Sequence, residues 1–176
     1  MRYVGAVILL LALASVFSVR SAAQPRSVGG LFSFSGIDVS YQHQASDSTF
    51  FEISAGIDLC GVLDGSAMYP GAKAGFSYNF VFWDHEFESG LLSTYAGIGF
   101  AAGYVRQTNG IKGPMAALLG KIGLEYAFRV PVILSVDFSP LLGMQIDGTA
   151  TGASLRMYID GLSKAFYPKL GIRYCF

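Results

Sequence analysis

The sequence predicts an all-β protein: an eight-stranded antiparallel transmembrane β-barrel preceded by a cleavable signal peptide. Three observations predict it. Charged residues make up 14% of the 176-residue chain and apolar residues 52%, against roughly 25% charged in an ordinary soluble domain. So few charges cannot clothe a water-facing surface. Past residue 23 no apolar run approaches the roughly 20 residues that a spanning helix needs. Apolar and polar residues instead alternate in segments of about ten, the pattern of barrel strands. Only helices and closed barrels satisfy their backbone polar groups in lipid, so period two in so apolar a chain means a barrel.

The first segment is the export signal. Met1-Arg2 gives a minimal positive start, residues 4–17 are apolar, and Ser21-Ala22-Ala23 places small residues before a cut between Ala23 and Gln24. An uncleaved anchor would need a longer apolar run. No cysteine lies near the cut, so a lipoprotein is excluded. The chain therefore divides into a signal peptide, 1–23, and a barrel domain, 24–176.

The mature chain opens with a change of phase. Phe32 and Phe34 are even, whereas Ile37, Val39 and Tyr41 are odd. A strand cannot change faces without a bulge or a turn. A turn at Ser35-Gly36 gives strands 26–34 and 37–44; a bulge in one long strand is the alternative. In 49–60, Phe51, Ile53, Ala55, Ile57 and Leu59 point out, with Phe50, Glu52, Asp58 and Cys60 among the inward set. In 72–82, Ala74, Phe76, Tyr78, Phe80 and Phe82 point out, with Lys73 and Asn79 in. Trp83-Asp84-His85-Glu86 then reads as a turn.

Segment 92–104 carries Leu92, Ile98, Phe100 and Tyr104 outward over a wall of small residues, Gly97, Gly99, Ala101 and Gly103. That wall has room for Tyr95 or for long basic side chains opposite. Segment 118–128 puts Lys121 and Glu125 inside. Arg129-Val130-Pro131 is a turn, and 132–139 puts Ser135, Asp137 and Ser139 inside. Residues 145–165 form an apolar loop that either extends as a β-hairpin toward a partner or packs over the barrel mouth, and 166–176 is the eighth strand. By parity the C-terminus lies in the periplasm and the 145–165 loop outside the cell. Tyr41, Phe51, Phe80, Phe82, Tyr126, Phe128, Tyr174 and Phe176 then gather at the periplasmic interface as an aromatic girdle. Making 33–44 one strand and 151–160 another would scatter them.

The stretches Gly36-Ile37-Asp38-Val39-Ser40-Tyr41, Leu92-Ser93-Thr94-Tyr95-Ala96-Gly97-Ile98-Gly99 and Gly123-Leu124-Glu125-Tyr126-Ala127-Phe128, with 132–140 and 170–176, carry a family likeness. The chain resembles the small eight-stranded outer-membrane barrel proteins of the OmpW, OmpX and OmpA-transmembrane-domain type, nearest to the Bacteroidetes versions. The resemblance implies fold and outer-membrane address; such barrels include channels, adhesins, anchors and a few enzymes. It also implies a C-terminal assembly signal, Leu170, Ile172, Tyr174 and Phe176, read by the barrel-assembly machinery. Deleting Phe176 is expected to impair insertion.

The inward positions carry the candidate site. Asp38, Glu52, Asp58, Glu125 and Asp137 meet Lys73, Lys121, Lys169 and Arg173. Charges in a narrow interior are costly unless paired, and eight strands leave just enough room for side chains. The expectation is a charged network filling the lumen; a polar path for a small solute is the alternative. A catalytic carboxylate pair needs two acids in different environments, whereas here each acid has a base available.

Other chemistry is weaker. His43 with Ser46 and Asp47 has a hydrolase's residue types but also a solvated turn's composition. His85 between Asp84 and Glu86 offers adjacent groups that do not converge on one ion. Cys60 and Cys175 fall at opposite ends, too far apart for a disulfide. Gly97-Ile98-Gly99 has no αβ context and no nucleotide meaning. Zero net charge argues against nucleic acid. No metal and no cofactor are expected. The function expected is non-enzymatic, structural or surface-interacting, with outer-membrane lipid around the barrel and an extracellular partner at the 145–165 loop. A passive channel comes second and a lipid or peptide hydrolase third.

Overall fold

The computed structural model describes residues 26–147, 154–163 and 166–176; the expected signal peptide and its cut at Ala23-Gln24 lie outside the described residues. The strands are β1 (Arg26–Ser33), β2 (Gly36–Ser46), β3 (Thr49–Asp58), β4 (Gly71–Phe87), β5 (Gly90–Arg106), β6 (Lys112–Phe128), β7 (Val132–Phe138), β8 (Leu141–Asp147), β9 (Ser154–Met157) and β10 (Lys169–Cys175). Two short helices, α1 (Cys60–Leu63) and α2 (Asp160–Ser163), sit between strands. Every pairing is antiparallel, and β1 pairs with both β2 and β10, which closes the ring. β7 and β8 run in succession along β6, while β10 pairs with β7 and β9 with β8. The ten strands are thus the walls of an eight-stranded barrel.

Arg26 and Cys175 mark one end, called here the near end; its turns are the short ones at 47–48, 88–89 and 129–131. The far end carries the 34–35 turn, the longer 59–70 and 107–111 segments and the β8–β9 pair. Alternation sorts the side chains as expected of a barrel. Ile98, Phe100, Leu118, Leu170 and Ile172 are exposed on the outer face, while Asp38, Glu52, Lys121, Asp137 and Arg173 are buried inside. The residues of the expected girdle fall toward the near ends of their strands, and Trp83, His85, Phe87, Tyr126 and Phe128 form one chain of ring contacts there.

The first two strands separate as expected, with the turn at Phe34-Ser35, one residue early. Four expectations are corrected. Trp83-Asp84-His85-Glu86 is strand, not turn: β4 runs on to Phe87 through a bulge, since Val81 pairs with Tyr95 and Trp83 with Thr94, leaving Phe82 extra. The added residue flips the phase, so Trp83, His85 and Phe87 line the outside. Residues 145–165 are not wholly a loop: among those described, 145–147 and 154–157 are strand and 160–163 helix. The seventh wall continues to Asp147 after a break at Ser139-Pro140, where proline has no N–H for the ladder, and β9 pairs back along it.

Cys60 belongs to α1 and not to a strand, and Leu59 is that helix's N-cap. Finally, Tyr95 does not use the wall of 97–103. It lies over Gly123 of β6, where a Cβ would sit 2.8 Å from the ring. Gly99 and Gly103 instead let the backbone of β4 approach closely.

Candidate functional site: the barrel lumen

From the near end inward, the lumen opens as a vestibule of about 280 Å³ lined by Arg26, Gln42, Phe50, Asp84, Tyr95 and Glu125 among others. Phe50 packs edge-on against Tyr95 at 5.1 Å, and the two rings close much of its floor. Behind them the charges begin. Arg173 on β10 is 1% exposed. Its Nη2 lies 2.7 Å from Glu52 and its Nη1 3.5 Å from Glu125. The same guanidinium donates to Ser40 at 3.1 Å and to Ser135 at 2.9 Å. Gln42 accepts from Ser27 and donates to Glu125 at 3.1 Å.

One layer on, Lys121 stands 2.6 Å from Glu52 and 3.5 Å from Asp137. Asp137 also accepts from the Tyr95 hydroxyl at 3.5 Å and from the Ser139 hydroxyl at 2.6 Å. Next come Lys169 with Asp38 at 3.0 Å and Lys73 with Asp58 at 3.6 Å. Between these layers lies a cavity of about 30 Å³, room for about one water. The structure thus brings all nine of the expected lumen charges into ion pairs with one another. The positions follow from strand parity alone: each is an inward residue, and the closed ring leaves no other direction for it.

The far end is sealed differently. Ala101, Val105, Met115, Ala117 and Leu141 form an apolar cluster with Tyr158. Tyr158 reaches in from the segment between β9 and α2, and its hydroxyl donates to Asp58 at 3.2 Å. Burial and the Asp58 carboxylate push its phenol well above the ordinary range, so it stays a donor. Asp160 holds the segment down by accepting from Thr108 N and Oγ1, both at 2.8 Å. Gln107 donates to Gln145 at 2.6 Å above the cluster. Sequence reasoning left open that the 145–165 segment packs over the barrel mouth, but missed the inward apolar residues it packs on. Val105, Met115 and Leu141 stand at inward positions, which was the available signal.

The remaining candidates are scattered. His43 points outward between the rings of Tyr41 and Phe51, while Ser46 pairs with Thr49 at 2.7 Å. His85 stacks on Trp83 outside, with Asp84 on the vestibule side of the same strand. Among the described residues no three potential metal ligands gather. Cys60, near Ser35 at the far end, and Cys175, beside Pro131 at the near end, stand at opposite ends and are not bonded to each other.

No family model matches the chain, and no curated protein matches it. Among solved structures, the N-terminal beta-barrel domain of Pseudomonas aeruginosa OprF is similar, with a TM-score of 0.53 and 14% identity, over 86% of this chain and 96% of that one. The two proteins share the barrel fold. At that identity the likeness concerns the walls and carries nothing about the side chains that fill them.

Proposed function

We propose that this chain is an integral outer-membrane barrel with a filled lumen, non-enzymatic, serving as a structural or surface-interacting protein. The observation that carries this reading is the packing of the interior. Among the described residues, the ion pairs from Arg173 to Lys73 and the apolar seal at Tyr158 break the space between the vestibule and the far end into cavities of about 30 Å³. The apolar outer face supports the membrane address, since a closed antiparallel barrel with such a band is matched to lipid. Short turns at the near end and longer segments at the far end support a periplasmic near end, which would hold the C-terminus in the periplasm.

Two partners follow from this reading. Leu170, Ile172, Tyr174 and Phe176 face out from the β10 wall and are the residues we assign to the barrel-assembly machinery. Leu155, Met157, Ile159 and Leu162 are exposed at the far end and form an apolar surface for an extracellular partner. The vestibule, at about 280 Å³, favours the second reading, a passive channel for small solutes.

Single-channel recording on the refolded protein in a planar bilayer separates the two. Silence, with a β-rich spectrum and heat-modifiable gel mobility, is expected. Steady openings altered by charge reversal at Lys121 or Arg173 would replace the filled-barrel reading with a channel.

A further inference from the structure

At the far end, where the β5–β6 hairpin turns over, two bases are cross-strand partners: Arg106 and Lys112. Like charges directly opposite destabilise a sheet. In the buried lumen Lys73, Lys121, Lys169 and Arg173 each have an acid; among the described residues no ion pair reaches Arg106 or Lys112. The Nε of Arg106 is moreover buried without a hydrogen-bond partner. Yet the guanidinium is held in place, 5.9 Å from the ring centre of Tyr69 and 5.7 Å from that of Tyr104. The two bases line a cavity of about 300 Å³ with Ser66, Tyr69 and Gln107. A fixed guanidinium with an unused donor beside a second cation suits an anion of phosphate geometry.

Depth selects the kind of anion. The outward face of β5 runs Ile98, Phe100, Ala102, Tyr104, Arg106: apolar, then aromatic, then basic. In a bilayer an outward tyrosine at the end of the apolar band sits at headgroup level. The base one outward position beyond it then stands where lipid phosphates are, the usual setting of basic headgroup sites. We propose that Arg106 and Lys112 bind the phosphate of a membrane lipid headgroup at the far-end surface. This rests on the membrane reading given above.

The test uses the full chain refolded in detergent micelles and titrated calorimetrically with dihexanoylphosphatidic acid, inorganic phosphate and dihexanoylphosphatidylcholine. The phosphatidic acid is expected to bind at least about tenfold tighter than either of the others. R106Q/K112Q is expected to lose about tenfold or more, and K112Q alone a few-fold, as one charge-assisted contact is removed at a time. Equal affinity in wild type and the double variant would overturn the proposal. Inorganic phosphate binding as tightly as the lipid would overturn it too, in favour of a soluble anion. Heat-modifiable mobility and insertion into vesicles are read on the same samples. Proteins that insert but do not discriminate sink this proposal alone, whereas a wild-type chain that does not insert sinks the membrane reading.

Discussion

Arg173 organises more of the interior than any other side chain. It spans from β10 to Glu52 and Glu125 and fills its remaining donors with Ser40 and Ser135. Such a buried group contributes little net stability while paired, because desolvation offsets attraction, but its removal leaves Glu125 without a base and Glu52 with Lys121 alone. R173A is therefore expected to cost about 3–5 kcal/mol, measured as a shift in the urea midpoint of the refolded barrel. R173K should fail to rescue fully, since an ammonium's three donors cannot reproduce the planar fork that reaches Glu52, Glu125, Ser40 and Ser135 together. A cost below about 1 kcal/mol for R173A would mean that water reaches the pair and screens it. Gly123 makes the opposite kind of demand. A methyl there would meet Tyr95 at 2.8 Å and the Cβ of Asp137 at 2.7 Å. G123A is expected to cost about 1–3 kcal/mol by overpacking, and G123A/Y95F to cost nearly as much, because the clash is with the ring and not with the hydroxyl alone.

Within single strands, phase is the quantity that matters. The bulge at Phe82 puts Trp83, His85 and Phe87 outside and turns Asp84 toward the vestibule. Deleting Phe82 would only remove the bulge and leave the rings outside, whereas inserting one alanine between Trp83 and Asp84 would send His85 and Phe87 inward and the two acids, Asp84 and Glu86, outward. The expected result of the insertion is a steep loss of heat-modifiable, folded protein on refolding into vesicles, while F82A, which keeps the residue count, should fold. The same property explains what was legible beforehand. Strands 49–58 and 118–128 could be read because their outward residues never miss a beat. The extension of β4 and the break at Ser139-Pro140 were not, because a phase change in sequence looks the same whether the chain bulges, turns or stops.

For the molecule as a whole, the interior has two seals of different physics in series. One is ionic, around Arg173 and Lys121, and the other apolar, around Val105, Met115 and Tyr158. Removing the ionic layer alone should therefore leave the barrel electrically silent. R173Q/K121Q is expected to show no conductance above the wild type, and openings should require Y158A in addition; full conductance from the double variant alone would show that the far-end seal does not hold. The charges of the candidate site were readable because a polar inward position in an apolar chain is conspicuous. The apolar seal was readable only as a segment that could pack over the barrel mouth, because an inward leucine or valine looks like an ordinary residue of the opposite face and gives no sign of what Tyr158 meets.

The seam between β1 and β10 carries one more consequence. Phe176 N donates to Arg26 O at 2.9 Å, so the first and last described residues are neighbours in the ring. Among the described residues the β1–β10 pairing has the same antiparallel form as the other walls. A circular permutant, with a short linker across the seam and new ends in the 107–111 turn, should reach the same fold. Its route there would differ, because a ring has no free edge only after its last pair of walls meets. The order in which walls are synthesised then decides which edge waits longest, and with it how readily unclosed chains stick to each other rather than to themselves.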